Sequence, residues 1–547
     1  MKRPSRHWKN ASTAWKRPIP DDGLSTERSR TLTRAQFGMD TPQVIVETHL
    51  PGGLPGFTLV GMPETVVREA RDRVRSALEN CGFEFPLGRV VVNLAPADLI
   101  KEGSRFDLAI AISILRATGQ ISVPDKHREK FEFLGELSLS GALRTTRGCL
   151  CAALHLAPEA KLIVPLANAL ETRLAATRVV PLAHLTDVTR LVSLSPTAAD
   201  ASYPKIATPP QVARLGIGEE ILGQLGPKRA LSIAAAGGHH LLMVGPPGTG
   251  KSLLARRLPQ LLPNLGEREA MEVAAVYSAA GIELTAPERP PLRDPHHSIS
   301  AAAMVGGGRS PKPGEITLAH HGVLFLDELP HFKPSALDAL REPLESHEIS
   351  VVRTAGRARF PANFQLLAAM NPCPAGLNCN TANCRCRPDQ VQRYQSRISG
   401  PLLDRIDLHV SVPEVPKALL LAQAESAEAA IAGTVSDVAR ARQRQIKRQG
   451  KLNCALSSAE LAPRTRLDKT ARQLLSRAAD RYRLSARGFH RVLRLAQTVA
   501  DLEEANGISV AQIAEALSYR AMAWAGEEAG GRSGLADRDA GLAGEES

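Results

Sequence analysis

The stretch His240-Leu-Leu-Met-Val-Gly-Pro-Pro-Gly-Thr-Gly-Lys-Ser252 constrains the fold of this chain more than any other. The apolar run Leu241 to Val244 ends at Gly245, where the spacing G-x-x-x-x-G-K-[ST] begins and runs through Gly250, Lys251 and Ser252. Such a run reads as a buried strand leading into a tight loop, whose glycines let backbone N–H groups turn inward around an anion. Leu253, Leu254, Ala255 and Arg256 then open a helix whose positive dipole end faces the same anion. Strand, loop and helix in this order belong in a parallel α/β core. Gly245, Pro246, Pro247, Gly248, Thr249 and Gly250 are placed to wrap the phosphates of a nucleoside triphosphate. Lys251 supplies a cation for the outer phosphates, and the Ser252 hydroxyl a ligand for Mg²⁺.

A chain of 547 residues has room for two to four domains, each with its own core. A hydrophobic content of 43% with no long apolar run excludes a helical membrane span. Eight cysteines in such a length do not make a disulfide scaffold, which points to a reducing, cytoplasmic setting. Residues 1–32 read as a basic disordered extension, with a presequence as the alternative. Net charge is +12, and between Asp437 and Arg494 sixteen Lys or Arg stand against four acids. That concentration suits a polyanionic partner, although a solvated basic helix face has the same composition.

Residues 33–195 alternate β-type runs (Gln43–Thr48, Phe57–Val60, Arg89–Asn93) with helical patterns (Pro63–Asn80, Phe106–Ala117), the mark of an α/β domain. A Pro-, Ala- and Thr-rich linker comes next, within 196–212. Residues 213–415 hold the phosphate loop in further strand–helix alternation. Residues 416–524 read as almost wholly helical, and 525–547 as a disordered tail.

Hydrolysis needs more than a phosphate loop. Val323-Leu-Phe-Leu-Asp-Glu328 is an apolar run ending in two acids. Asp327 is suited to hold Mg²⁺ through water, and Glu328 to polarise an attacking water. A second apolar run, Phe364 to Met370, ends at Asn371, whose amide can position the same water or sense the γ-phosphate. The pair His296-His297 lacks a carboxylate spacing that would complete a metal site. Adjacent loop histidines are expected to point apart, which leaves a structural or conformational role.

Cys373, Cys379, Cys384 and Cys386 lie close together among Pro, Gly and Asn residues. Four thiolates on an irregular loop suit tetrahedral Zn²⁺. The spacing C-x₅-C-x₄-C-x-C is not that of a standard zinc finger, and reduced loop cysteines are the alternative. Glu348-Ile-Ser-Val-Val-Arg-Thr-Ala-Gly-Arg-Ala-Arg-Phe360 reads as a β-hairpin with Arg353, Arg357 and Arg359 at its tip and on its return strand.

Taken with Arg293-Asp-Pro-His-His-Ser-Ile-Ser, Gly306-Gly-Gly-Arg-Ser-Pro-Lys-Pro-Gly-Glu315, His320-His-Gly-Val-Leu-Phe-Leu-Asp-Glu328 and Ser396-Arg-Ile-Ser-Gly-Pro-Leu-Leu-Asp-Arg405, the chain resembles the AAA+ family over residues 38–525, within its magnesium-chelatase-like group. The resemblance implies an AAA+ P-loop core with a helical lid. It makes Arg405 an arginine finger that reaches a neighbour's γ-phosphate, and therefore implies a ring, most simply a homohexamer. Leu484-Ser-Ala-Arg-Gly-Phe-His-Arg491 is similar to the second sensor motif, with Arg487 the first choice and Arg491 the alternative. Gly223-Gln224 matches the segment that borders adenine. The hairpin would point into the ring's pore, its arginines on a DNA backbone; an outer face is the alternative. Segment Gly306–Glu315 resembles an insertion in the helix after the phosphate loop, with Lys312 on the same surface. Family members often carry Cys-Pro-Cys where this chain has Cys373-Pro-Ala375.

Residues 38–160 resemble the proteolytic domain of Lon through Asn93-Leu-Ala-Pro-Ala-Asp, Lys101-Glu-Gly-Ser-Arg-Phe-Asp-Leu and Gly135-Glu-Leu-Ser-Leu-Ser-Gly. That alignment puts Arg105 at the nucleophile's place and Leu150 at the lysine's, so the catalytic dyad is missing; Ser104 lies one position off. The function implied is an ATP-dependent DNA helicase that drives branch migration of incoming DNA during natural transformation. The alternatives are a motor subunit of a metal chelatase, another AAA+ remodelling factor, and a non-enzymatic nucleotide-gated scaffold.

Overall fold

The computed structural model describes residues 28–520, apart from 62–68, 123–129, 194–222, 309, 354–355, 377–385, 416–426 and 483. The expected linker, residues 1–27, the C-terminal tail, Cys379, Cys384 and the hairpin's turn residues fall outside the described set. Residues 28–32, expected as part of a disordered extension, instead form a strand because they pair with the following strand Gln43–His49.

The first layer is a mixed sheet of β1 (Arg28–Arg34), β2 (Gln43–His49), β3 (Gly56–Val60), β4 (Arg89–Ala95), β5 (Phe131–Phe133), β8 (Lys161–Pro165) and β9 (Val179–Leu182). A two-strand pair, β6 (Glu136–Leu137) and β7 (Leu143–Arg144), stands beside it. Strand order is β3-β4-β2-β1-β5-β8-β9, with β2 antiparallel to both β1 and β4 and the other pairs parallel. Helix Asp107–Ala117 packs on β1 and β2 and is buried almost all round. That explains its run Leu-Ala-Ile-Ala-Ile-Ser-Ile-Leu: every face has a neighbour, so no polar stripe is needed. At the sheet centre Arg34 is paired with Glu132 through Nε and through Nη2 at 2.9 Å, both side chains buried.

The strands of the second sheet are β10 (Leu241–Val244), β11 (Leu292–Arg293), β14 (Val323–Leu326), β17 (Gln365–Met370) and β18 (Leu408–Ser411). It is wholly parallel, in the order β11-β14-β17-β10-β18. Parallel strands covered by helices on both faces read as continuous apolar runs, as Val323–Leu326 and Leu366–Met370 do here. Register pairs Val244 with Met370 and Leu326 with Ala368, which brings Gly245, Asp327 and Asn371 to one edge.

Two hairpins project from this core: β12 (Gly306–Gly307) with β13 (Lys312–Pro313), and β15 (Glu348–Arg353) with β16 (Gly356–Pro361). The first corrects one expectation. The helix directly after the phosphate loop, Lys251–Leu261, is uninterrupted, and the insertion instead separates helices Ala301–Val305 and Glu315–Leu318 beyond β11. Gly306 and Gly314 cross so closely that a Cβ on Gly306 would lie 2.3 Å from the Lys312 carbonyl oxygen. Five helices between Ala427 and Ser518 close the chain, and Ala486–Leu502 lies against the helix Leu225–Gly237 that leads into β10.

The sheet domains touch through helices. Cys149–Leu154 docks on Glu267–Ala280, where Gly148 N–H donates to the Ser278 carbonyl at 2.8 Å and Cys151 Sγ meets the Ala275 carbonyl at 3.1 Å. The turn at Phe37–Gly38 seats on the second hairpin, where a Cβ on Gly38 would stand 3.0 Å from that of Ala358. No helix among the described residues is long and apolar enough to cross a membrane.

Candidate nucleotide site

Each loop residue has a geometric reason. Gly245 passes so near β18's end that a Cβ would meet the Val412 carbonyl oxygen at 2.2 Å, whereas Gly248 and Gly250 adopt φ of 77° and 86°, where a side chain is strained. Thr249 Oγ1 donates to the Pro246 carbonyl at 2.9 Å and closes the turn. Lys251 opens the next helix, and its Nζ lies inside the loop, donating to Gly245 O (2.7 Å), Pro246 O (2.7 Å) and Asn371 Oδ1 (3.1 Å). Burial lowers the lysine's pKa, and the charges of Asp327 and Glu328 oppose that shift.

Ser252 Oγ donates to Asp327 Oδ2 at 2.5 Å, so two hard oxygen ligands already face one another. This donor set fits Mg²⁺, which takes oxygen ligands and keeps several waters. The other carboxylate oxygen of Asp327 accepts the Glu328 N–H at 2.9 Å, and Glu328 turns out of the strand with φ of 53°. The Glu328 carboxylate is half exposed and lies 3.6 Å from His297 Nδ1. His296 and His297 do not diverge as expected; their rings lie 4.1 Å apart between centroids. Sequence reasoning gave them a structural or conformational role and missed the neighbouring Glu328, although the conspicuous Arg293-Asp-Pro-His-His motif was the signal to read. Asp294, in the same motif, pairs with Arg256 at 3.2 Å. Arg293 grips Glu315 with two bonds of 2.7 and 2.8 Å, which joins two motifs that the sequence showed only as separate.

At the loop's other flank, Gln224 takes φ of 53° and its Nε2 donates to Pro413 O (2.6 Å) and Thr249 O (3.3 Å). Its Oε1 is buried without a hydrogen bond from the described residues. The cysteine loop starts directly over the phosphate loop: a Cβ on Gly376 would stand 3.0 Å from Pro247 Cδ. Cys373 is buried and Cys386 half-buried.

The arginines named from the sequence do not gather with Lys251. Asp407 and Leu408 N–H both donate to the His240 carbonyl, which puts the turn carrying Arg405 at the N-terminal end of the parallel strands. The phosphate loop is at their C-terminal end, roughly 15 Å away for strands of this length. Arg405 donates to Pro401 O through Nη1 (2.7 Å) and is paired with Glu345 through Nη2 (2.7 Å). Arg487 approaches the same Glu345 oxygen at 3.7 Å. Arg491, one turn further along, is largely covered and lies 3.5 Å from Asp407, which also holds His239 at 3.2 Å. Burial pushes the Asp407 carboxyl up, but the hydrogen bond from His239 and the charge of Arg491 hold it well below the usual carboxylate range.

Arg353, Arg357, Arg359 and Lys312 are all exposed. Arg357 and Arg359 share one face of the hairpin with Ser350 and Val352, whereas Arg353 projects at the tip on the opposite face, whose Ile349, Val351, Ala358 and Phe360 are buried. A Cβ on Gly307 would meet the Arg353 guanidinium at 2.9 Å, so the two hairpins lie side by side. One cluster was not foreseen: His320 and His321 both reach Glu272 Oε2, at 3.4 and 2.9 Å. Asn363 N–H donates to His320 Nδ1, which leaves the proton on Nε2. That nitrogen then donates to the carboxylate and offers no lone pair to a metal. In the sheet domain Arg105 is buried and donates to Arg147 O (3.0 Å), Leu150 is buried, and Ser104 is hydrogen-bonded to Glu136.

Three family models match the chain: "Subunit ChlI of Mg-chelatase" over residues 46–168, "Magnesium chelatase, subunit ChlI" over 218–420, and its C-terminal model over 429–520. The competence protein ComM of Haemophilus influenzae is 46% identical over 497 residues, covering 90% of this chain and 97% of that protein. YifB of Salmonella typhimurium, an uncharacterised protein, is 44% identical over 494 residues, covering 90% and 96%. An uncharacterised protein of Mycobacterium tuberculosis is 38% identical over 499 residues, covering 90% and 98%. With its phosphate loop and acidic strand end in place, the chain belongs to the magnesium-chelatase-like AAA+ ATPases, in the ComM-type branch.

Proposed function

We propose that this chain is the subunit of a ring-shaped ATP-driven DNA motor, a helicase that promotes branch migration when incoming DNA recombines during natural transformation. The observation that carries the reading is the three exposed arginines that β15–β16 presents on its two faces beside Lys312, borne by the core that holds Lys251, Ser252, Asp327 and Asn371. Relatedness to a protein named for competence supports the biological setting. Bound between Ser252 and Asp327, Mg²⁺ would neutralise charge on the β- and γ-phosphates. Glu328, oriented by His297, would polarise the attacking water, and Asn371 would tie that water's position to Lys251. The unpaired Gln224 Oε1 is an acceptor suited to adenine's amino group.

Arg405 has no route to its own subunit's phosphates from the far end of the sheet, which supports a finger acting on a neighbour and a homohexameric ring. Arg487 shares that face and serves the same neighbour in this reading, with Arg491 as its largely covered support. The N-terminal domain is read as a Lon-like module without a catalytic dyad, since Arg105 and Leu150 stand at the two reactive places. Cys373, Cys379, Cys384 and Cys386 are read as a structural zinc loop bracing the phosphate loop. Metal analysis of protein purified without chelator should find about one zinc per chain, and a content under about 0.3 would refute it.

The deciding experiment measures ATP hydrolysis with branched DNA, single-stranded DNA and none, across a salt series. A backbone-gripping motor is stimulated by DNA and loses affinity steeply as salt rises. Indifference to every DNA would refute the reading and favour a chelatase-type motor, to which the matched ChlI models also lend support.

A further inference from the structure

Two guanidinium groups converge on one carboxylate oxygen, and neither the sequence motifs nor the hydrolysis chemistry accounts for that carboxylate. Glu345 sits in the short helix Pro343–Ser346, at the foot of β15. Its Oε1 takes Arg405 Nη2 at 2.7 Å and lies 3.7 Å from Arg487 Nη1. Arg405 arrives from the turn before β18, and Arg487 from the first turn of helix Ala486–Leu502. Core, hairpin foot and lid therefore meet at this one group.

We infer that Glu345 is a positioning residue that holds Arg405 and Arg487 together as a single two-arginine face for the triphosphate bound by the next subunit. The inference rests on the reading of Arg405 as a finger acting between subunits. Two like charges brought this close repel unless an anion stands between them, and a carboxylate also fixes the plane of a guanidinium. The Pro401 carbonyl holds the other edge of Arg405, so its orientation is set from two sides. Glu345 is half exposed and Arg487 largely so, and an ion pair this wet is weak. A triphosphate, with more charge and several oxygens, can therefore draw Arg487 from Glu345 without a large barrier, whereas Arg405, mostly covered, is held more firmly in its place. The carboxylate organises the pair and does not lock it.

The test uses the full chain. E345A should lower kcat for ATP by about 10–100-fold, the cost of misplacing a catalytic group by about 1 Å, with nucleotide binding retained as the folding control. E345Q, which keeps an acceptor oxygen but loses the charge that separates the two cations, should recover only part of the rate. A mixture then tells positioning between subunits from a defect within one. K251A subunits have a dead pocket and intact arginines, so at equal mixing about a quarter of the interfaces join an E345A pocket to intact arginines, and activity should return. R405A mixed with K251A is the control. Failure of that control would overturn the finger reading itself. Complementation by R405A without complementation by E345A would overturn only the role of Glu345, as would full or raised turnover of E345A alone.

Discussion

His409 offers a quantitative test of how the lid end of the core is built. It lies in β18, two residues beyond Asp407, and is 7% exposed. Burial lowers its imidazole pKa from 6.5 to about 4, with help from the Arg520 and Arg491 charges and against the pull of Asp407 and a backbone bond to Leu403. The folded state therefore resists a proton that the unfolded chain accepts. Stability from this group is complete above pH 6.5, declines as pH falls, and is lost once pH passes below about 4. A shift of this size corresponds to roughly 3 kcal/mol in total, of which about 2 kcal/mol is gone by pH 5. Denaturant unfolding of wild type and H409L between pH 7.5 and 4.5 isolates the effect. Losing the bond to Leu403 lowers the variant's stability by an amount independent of pH, whereas removal of the titration flattens its pH dependence. The difference between the two proteins should shift by about 2 kcal/mol in the variant's favour from pH 7.5 to 5. Parallel pH profiles would refute the claim that a buried neutral histidine stands beside Asp407 and Arg491.

The same geometry sets other outcomes. K251A should abolish ATP turnover and weaken nucleotide binding, while R405A should lower turnover by about 10³-fold or more with binding of labelled ATP intact; equal binding loss in both would contradict their placement at opposite ends of the sheet. Replacing Arg353, Arg357 and Arg359 together by Ala should weaken DNA binding and reduce the slope of log K against log salt by about 2–3, read by fluorescence anisotropy. E132Q should destabilise the N-terminal domain by about 3–5 kcal/mol, because Arg34 would remain buried without its anion. Thermal unfolding indistinguishable from wild type would show that pair to be dispensable.

Local chemistry made much of the site legible. A glycine that must take φ of 86°, and the lysine and serine after it, are visible as letters, since the anion-binding loop is contiguous in sequence. Strands β10, β14 and β17 were readable for a related reason: parallel strands buried on both faces are unbroken apolar runs. The hairpin was readable as two β-type runs about a turn with arginines at its tip and on its return strand, while which of its faces is dry came from the packing. Fate at the lid was different. Leu484–Arg491 could be recognised as a motif, yet which of two arginines faces outward depends on a helix phase that only packing fixes. Arg487 emerges exposed and Arg491 turned inward onto Asp407, largely covered.

By itself the sequence determined that a triphosphate loop, an acidic strand end and an arginine-bearing hairpin exist, because each is a short-range pattern with its own physical signature. Tertiary structure decided what they face. Parallel pairing in the order β11-β14-β17-β10-β18 set Ser252, Asp327 and Asn371 at one edge and sent Arg405 to the other. The same packing turned His297 toward Glu328 and brought Arg405 and Arg487, far apart in sequence, to Glu345. The physical reason is that sequence spacing encodes which face of its own element a residue occupies, whereas the partner across that face is chosen by the order of strands in the sheet.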